Sequence, residues 1–104
     1  MFNQDILLKL RRGSVVYITE GAIDCMTLVQ HGLAAVSLGS AKHFRPEWAK
    51  LFNQFRVFVW FDNDEAGKIG TRELIEVLRF HGIDVEAKAL PSGVKDINEY
   101  YNKS

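Results

Sequence analysis

Two apolar runs of this sequence end in acidic residues, and those carboxylates are the side chains best suited to chemistry. Residues 57–61 are followed by Asp62 and Asp64, and residues 15–19 are followed by Glu20. Both runs are rich in β-branched and aromatic residues and therefore predict β-strands. Carboxylates gathered at strand ends repel one another unless a cation lies between them. Mg²⁺ is the usual cation where a substrate carries phosphates.

The acidic residues after residues 57–61 also have a purely structural interpretation. Asp62 or Asp64 would cap the helix predicted to follow, where an acidic first turn complements the helix dipole. A cap explains one aspartate but not Glu20 at the matching end of another strand, so we favour a metal site. Asp24, in the first turn after Glu20, fits either dipole compensation or support of a metal ligand. The sequence does not separate these two roles.

Glycine and basic residues near the strand ends suit a phosphate-bearing substrate. Gly21 and Gly67 lack side chains, so we expect phosphates or metal-bound water to approach the backbone there. Each nearby basic residue is individually typical of a solvated surface, but as a group they would neutralise phosphate charge around the acidic centre. These residues are Lys42, Lys68, Arg72 and Lys95.

The elements that must position these residues alternate between helical and strand patterns. We predict strands at residues 15–19, 34–38, 56–61 and 84–90, and helical segments at residues 5–12, 22–31, 45–55, 65–80 and 96–101. This alternation predicts an α/β fold, an open four-stranded parallel sheet with helices on both faces. With strand order 2-1-3-4, the crevice at the switch point lies between the ends of strands one and three. Glu20 and Asp62 would meet in that crevice.

Composition narrows the classes of function. The chain has 104 residues, 47% hydrophobic and 25% charged, which is typical of one globular domain. Its formal net charge is zero, so a nucleic-acid role must rest on a local site, on bound metal or on other parts of a longer protein. The single Cys25 excludes an internal disulfide and is expected in the core. Without a membrane-spanning run or a signal peptide, we expect a cytoplasmic protein with no membrane partner.

Three segments, in this order along the chain, resemble the Toprim domain, the catalytic module shared by bacterial-type DNA primases, topoisomerases and several nucleases. Residues 20–24 (EGAID) resemble E-G-x-x-D of the primase branch, and residues 62–68 (DNDEAGK) resemble its D-x-D-x-A-G-[RK]. Residues 95–100 (KDINEY) resemble its K-D-P-[DN]-E-[YLF]. Ile97 replaces the proline, and Asn98 stands where many primases have a second aspartate. The resemblance covers residues 14–102 and favours the bacterial and phage primases.

The resemblance implies a Mg²⁺-dependent nucleotidyltransferase, with Mn²⁺ as an alternative ion, that makes RNA primers for DNA replication. Glu20, Asp62 and Asp64 match the catalytic metal ligands, and Asp96 matches an acidic position associated with the metal centre. The implied partners are nucleoside triphosphates, a single-stranded DNA template, and a replicative helicase or other domains of a longer chain. Residues 1–13 would form a helical lead-in and residues 14–104 one Toprim domain, a fragment of a larger primase or a small standalone protein. Primer synthesis is expected in the full-length context, and activity of the isolated chain stays open.

Other interpretations remain. A Toprim nuclease would use the same metals to activate water, although the primase-like segments favour synthesis, and a non-catalytic Toprim module would bind nucleotide or a partner without turnover. Phosphatases of the haloacid-dehalogenase type also place Asp-x-Asp after a strand, but they favour Thr or Val where this chain has Ala66, and they do not predict Glu20. A topoisomerase is disfavoured because Tyr100 and Tyr101 lie in an aromatic tail away from any strand end.

Overall fold

Strands and helices alternate in the computed structural model, which describes residues 1–39 and 41–102. The strands of the described residues are β1 (Val15–Thr19), β2 (Ala35–Ser37), β3 (Arg56–Val59) and β4 (Asp84–Ala87). The α-helices are α1 (Ala22–Gln30), α2 (Ala49–Phe52), α3 (Glu65–Phe80) and α4 (Ile97–Asn102). Short 3-10 turns lie at Gln4–Leu8, Ala41–His43 and Pro46–Trp48. Within the described residues, no helix has the length and apolar content needed to cross a membrane.

The four strands form one parallel sheet in the order β2-β1-β3-β4, which confirms the predicted fold and order. Val16 pairs with Val57 and Ile18 with Val59, so the ends of the two central strands are level. The backbone N–H of Trp60 also donates to the carbonyl of Ile18 at 2.9 Å. The chain therefore leaves β1 and β3 at the same place, on the carboxyl edge of the sheet.

The larger part of the core covers one face of the sheet. Val16, Ile18, Val57 and Val59 are fully buried there, beneath Leu74 and Leu78 of α3 and Phe52 of α2. Burial of each such side chain stabilises the fold by about 1.5–3 kcal/mol. This packing fixes the two central strands and α3 as one unit.

A smaller core lies on the opposite face, beneath α1 and α4. Cys25 and Leu28 of α1 and Ile97 of α4 pack with Trp60. Burial raises the pKa of the Cys25 thiol to about 11, so Cys25 is the buried core residue that the sequence predicts. Helices therefore cover both faces of the sheet, as predicted.

The predicted ends of the strands were wrong by up to three residues. β2 is limited to Ala35–Ser37, β3 ends at Val59 instead of residue 61, and β4 ends at Ala87 instead of residue 90. The large apolar residues beyond the ends of β3 and β4 are still buried: Trp60, Phe61 and Leu90 are at most 8% exposed. They are apolar because they pack in the core, and the sequence pattern does not distinguish packing from strand pairing.

Two predicted helical segments also differ in the structure. The helix predicted at residues 5–12 is instead a 3-10 turn at Gln4–Leu8, with Leu7 as its buried residue. Residues 45–55 divide into the 3-10 turn Pro46–Trp48 and the single-turn helix α2. The amino-terminal residues instead cover the edge of the sheet, where Phe2 and Ser37 exchange backbone hydrogen bonds of 3.0 and 3.1 Å.

Candidate metal centre

Glu20 and Asp62 lie together at the carboxyl ends of β1 and β3. Burial raises the pKa of Glu20, and the negative charge of Asp62 raises it further. The backbone N–H of Asp62 opposes this increase, and the charge of Asp64 adds to it. The Oε1 atom of Glu20 is buried without a hydrogen-bond partner. An acidic oxygen in that condition is available to a cation.

Asp24 joins this pair from the first turn of α1. Burial raises the pKa of Asp24 to about 6, a hydrogen bond from the backbone N–H of Asn98 opposes the increase, and the charges of Asp62 and Asp96 add to it. A protonated Asp24 would donate a hydrogen bond to the carboxylate of Asp62, which raises the pKa of Asp24 and lowers that of Asp62. Burial nevertheless raises the pKa of Asp62 as well. Asp24 thus lies beside Asp62, and its role as support of a metal ligand stays a prediction.

The segment that carries Asp96 lies at the same edge of the sheet, because α1 holds the first turn of α4. Asp24 Oδ1 accepts the backbone N–H of Asn98 at 3.1 Å, and Thr27 Oγ1 donates to Asn98 Oδ1 at 3.3 Å. Asp96 Oδ1 accepts the backbone N–H of Glu99 at 2.8 Å at the start of the helix. Its charge still raises the pKa of Asp62. Asp96 therefore lies near the acidic centre while it caps α4.

Asp64 caps α3, as the structural interpretation of the sequence allowed. Its Oδ1 accepts the backbone N–H of Gly67 at 2.6 Å, and its own backbone is extended. The charge of Asp64 raises the pKa of both Glu20 and Asp62, so the cap lies within electrostatic reach of the other carboxylates. A helix cap and a place in the acidic cluster are thus combined in one side chain.

Gly67 is required by the fold of the loop itself. A Cβ atom at this position would lie 2.1 Å from the carbonyl oxygen of Asp62 and 3.1 Å from Oδ1 of Asp64. A Cβ atom on Gly21 would meet nothing within 4 Å. The absent side chain of Gly67 therefore lets α3 start against the backbone of Asp62, a reason different from the phosphate approach expected from the sequence.

Asn63, between the two aspartates, is a structural residue of the site that the sequence did not single out. Its Nδ2 donates to the carbonyl of Val94 at 3.0 Å and to that of Pro91 at 3.3 Å. Its backbone N–H donates to the carbonyl of Lys95 at 2.7 Å. Asn63 thus ties the loop after β3 to the segment that carries Lys95 and Asp96. The available signal was the tendency of asparagine to bond loop backbone.

The basic residues of the sequence prediction are distributed around the acidic centre. Lys42 and Glu20 line a pocket of about 410 Å³, whereas Lys68 and Arg72 line a separate pocket of about 270 Å³ beside Asp62. The positive charge of Lys95 lowers the pKa of Asp62 and opposes the effect of burial. Within residues 1–39 and 41–102, none of these cations forms an ion pair with a carboxylate.

The acidic cluster has the donor chemistry of a Mg²⁺ centre that relies on its substrate. In the part of the chain that the structure describes, no three acidic, histidine or cysteine side chains are grouped closely enough to hold a metal ion alone. Mg²⁺ usually keeps several waters and takes further ligands from substrate phosphates. The unpartnered oxygen of Glu20 beside the carboxylates of Asp62 and Asp64 fits such a shared coordination.

A family model described as Toprim-like matches residues 17–101, which include the acidic residues at both strand ends. The chain belongs to the Toprim-like family. The resemblance found in the sequence is therefore confirmed.

Known relatives of this Toprim-like domain include DNA primases. The domain is 32% identical, over 108 aligned positions, to a DNA primase of Clostridium acetobutylicum; the match covers 100% of this chain and 18% of that primase. It resembles the primase fragment of the bacteriophage T7 primase-helicase protein with a TM-score of 0.72 and 30% identity, covering 91% of this chain and 41% of that one. The chain thus spans less than a fifth of the curated primase and less than half of the T7 fragment.

A second solved structure contains T7 primase domains in a larger assembly. There, bacteriophage T7 lagging-strand DNA polymerase interacts with two primase domains bound to an RNA/DNA hybrid and dTTP. The TM-score is 0.67 and the identity 30%, over 89% of this chain and 50% of that one. The Toprim-like domain described here is therefore related to DNA primase.

Proposed function

We propose that this domain is the metal-dependent catalytic core of a primase-type nucleotidyltransferase, which makes RNA primers for DNA replication. The observation that carries the proposal is the buried, unpartnered Oε1 of Glu20 beside Asp62 at the level ends of β1 and β3. The relation to DNA primase supports synthesis over cleavage, because the chain matches a primase over its whole length.

Glu20, Asp62 and Asp64 would hold Mg²⁺, or Mn²⁺ in its place, with Asp96 close by. When bound, such ions stabilise the charge that develops on the phosphates during transfer. The protein's own contribution is orientation: Asp24 lies beside Asp62 and, by accepting the backbone N–H of Asn98, keeps α4 against the site. The positive charge of Lys95 favours the ionised form of Asp62, which is the form that binds a cation.

The proposed substrates are nucleoside triphosphates paired on a single-stranded DNA template. The related T7 primase domains, bound to an RNA/DNA hybrid and dTTP, support this choice. Because the chain spans 18% of the length of the curated primase, primer synthesis is proposed for a longer protein, in which other domains or a helicase hold the template. A replication enzyme of this kind would work in the cytoplasm.

The proposal is tested by calorimetric titration of Mg²⁺ into the protein with and without ATP. We expect Asp62→Asn and Asp64→Asn each to weaken Mg²⁺-dependent ATP binding by about tenfold or more, a loss of roughly 1.4 kcal/mol. Asparagine caps helices about as well as aspartate, so a loss in Asp64→Asn reports on metal binding and not on the cap. Glu47→Gln, an exposed residue in the Pro46–Trp48 turn, is the matched control.

Unchanged ATP binding in both aspartate variants would leave Asp62 and Asp64 with a structural role alone and would contradict the proposal. A parallel incubation of the protein with labelled single-stranded RNA and DNA, in the same buffer, separates synthesis from cleavage. Metal-dependent degradation that Asp62→Asn abolishes would replace the primase assignment with the nuclease alternative.

A further inference from the structure

A pocket on the β4 side of Asp62 adjoins the acidic cluster but extends away from Glu20, which does not line it. It has a volume of about 270 Å³ and lies between α3 and the segments that leave β3 and β4. Asp62 lines its inner end, so the pocket opens directly onto the candidate metal centre. Small-molecule pockets commonly measure roughly 300–1,000 Å³, and this one is therefore suited to a single small unit of a ligand.

The rim of the pocket is cationic. Lys68 and Arg72 are four residues apart on α3 and therefore share one face of the helix. Both side chains are exposed, and in the described residues neither pairs with a carboxylate. The hydroxyl of Thr71, between them in the pocket wall, already donates to the carbonyl of Gly67 at 2.7 Å. The two cations are thus the charged donors that the rim offers to a ligand.

The floor of the pocket is apolar. It is formed by Phe61 and Leu90, which are buried, and by the small side chains of Ala87 and Ala89. Lys88 contributes to the wall, but its Nζ lies 4.9 Å from the ring centroid of Trp60. Because Trp60 packs beneath α1 and α4, that ammonium group is directed to the opposite face of the sheet. The pocket therefore combines an apolar floor with two cations along one side.

We propose that this pocket binds a nucleoside phosphate, with the phosphate on Lys68 and Arg72 and the sugar or base against the apolar floor. A guanidinium group binds phosphate oxygens in a bidentate manner, and an ammonium group adds a second charged contact. The inference rests on the proposed function, since a phosphate unit held here lies next to Asp62. A free nucleoside triphosphate and one nucleotide of a bound strand share this chemistry.

The test compares two double variants that remove the same charge. Lys68→Gln with Arg72→Gln alters the rim. Lys50→Gln with Arg12→Gln is the control, because both residues are exposed and lie in the segments that lead into β3 and β1, at the amino edge of the sheet. The probes are a fluorescent methylanthraniloyl-ATP and a fluorescein-labelled single-stranded oligothymidylate, both followed by fluorescence anisotropy. All titrations contain EDTA, so the result does not depend on metal binding at the acidic cluster.

We expect the rim variant to bind at least one probe about tenfold more weakly and the control variant to stay within about twofold of wild type. Loss for the nucleotide alone assigns the pocket to a free triphosphate, and loss for the oligonucleotide alone assigns it to a strand. In the second case the slope of log K against log salt should become less negative by about 1.4, because two phosphate contacts are removed.

Equal losses in the two double variants, or no binding of either probe by the wild type, would overturn the inference. Melting temperatures of all proteins confirm that they are folded. Failure of the proposed metal site would appear separately, as unchanged Mg²⁺-dependent ATP binding in Asp62→Asn, a variant that keeps both rim residues.

Discussion

Asp24 shows how a single residue can serve both the fold and the site. It is 8% exposed, accepts a hydrogen bond from the backbone N–H of Asn98 and lies beside Asp62. An isolated buried carboxylate would be unfavourable, and partners of this kind are what make it tolerable. Holding α4 and orienting Asp62 are therefore one role, since the same carboxyl group contacts both.

Stability without metal is expected to fall as the pH rises from about 4 to about 6. The pKa of Asp24 is about 6 in the folded protein and roughly 3.9 in an unfolded chain, so the folded state binds more protons between these values. Asp24→Asn keeps a hydrogen-bonding side chain but removes the titration. In EDTA at pH 7 it should be as stable as wild type or more stable, by up to on the order of 2 kcal/mol.

Urea unfolding of wild type and Asp24→Asn at pH 4.5 and pH 7 measures this effect. The exposed Asp84→Asn, at the start of β4, controls for the general loss of one negative charge. The expectation fails if Asp24→Asn is less stable than wild type at pH 7 or retains the full pH dependence of wild type.

At the scale of elements, the start of α3 determines the geometry of the acidic loop. The cap formed by Asp64 and the close approach of Gly67 to the carbonyl of Asp62 hold both aspartates in place. Asn63 then fastens the same loop to the segment before α4. Backbone packing and hydrogen bonds within the loop therefore set the position of the carboxylates.

Gly67→Ala is expected to destabilise the protein although it lies within a helix. Alanine normally stabilises a helix interior by about 1 kcal/mol relative to glycine. Here the added Cβ would lie 2.1 Å from a backbone oxygen, so we expect a loss on the order of 2 kcal/mol. Gly21→Ala, with nothing within 4 Å of the added atom and with extended backbone, is the matched control.

Urea unfolding of both glycine variants supplies the free energies of unfolding. We expect Gly21→Ala to stay within about 1 kcal/mol of wild type. A Gly67→Ala protein as stable as wild type would show that the loop can move away from α3, and the account of the loop would then be wrong.

The alternation of elements was sufficient to predict the sheet and the proximity of Glu20 to Asp62. The carboxyl ends of parallel strands lie at the same edge of a sheet, so residues that follow those ends lie close together. It was not sufficient to place strand ends, because Trp60 and Leu90 are apolar for packing and not for pairing. The structural requirement for glycine at position 67 could not be predicted either. A sequence shows that the side chain is missing but not that the carbonyl oxygen of Asp62 occupies its place.

At the scale of the whole molecule, the net charge is zero, but acidic and basic side chains are concentrated in separate places. The acidic cluster lies on the carboxyl edge of the sheet, with the Lys42 pocket on one side and the Lys68 and Arg72 pocket on the other. Such an arrangement favours a small, phosphate-bearing ligand at that edge over attraction of nucleic acid to the entire surface. The proposed function needs this local field, since the domain as a whole has no excess of positive charge.

Location of the bound ion is the most direct test of a metal centre at the strand ends. Paramagnetic Mn²⁺, added with ATP to ¹⁵N-labelled protein, broadens the amide signals of nearby residues. We predict early loss of the signals of Glu20, Gly21 and Asp62 while Gly13 and Arg56, at the amino ends of the same strands, keep theirs, and that Asp62→Asn prevents the selective loss. Broadening that is uniform, that begins at the amino edge or that persists in Asp62→Asn would contradict the account.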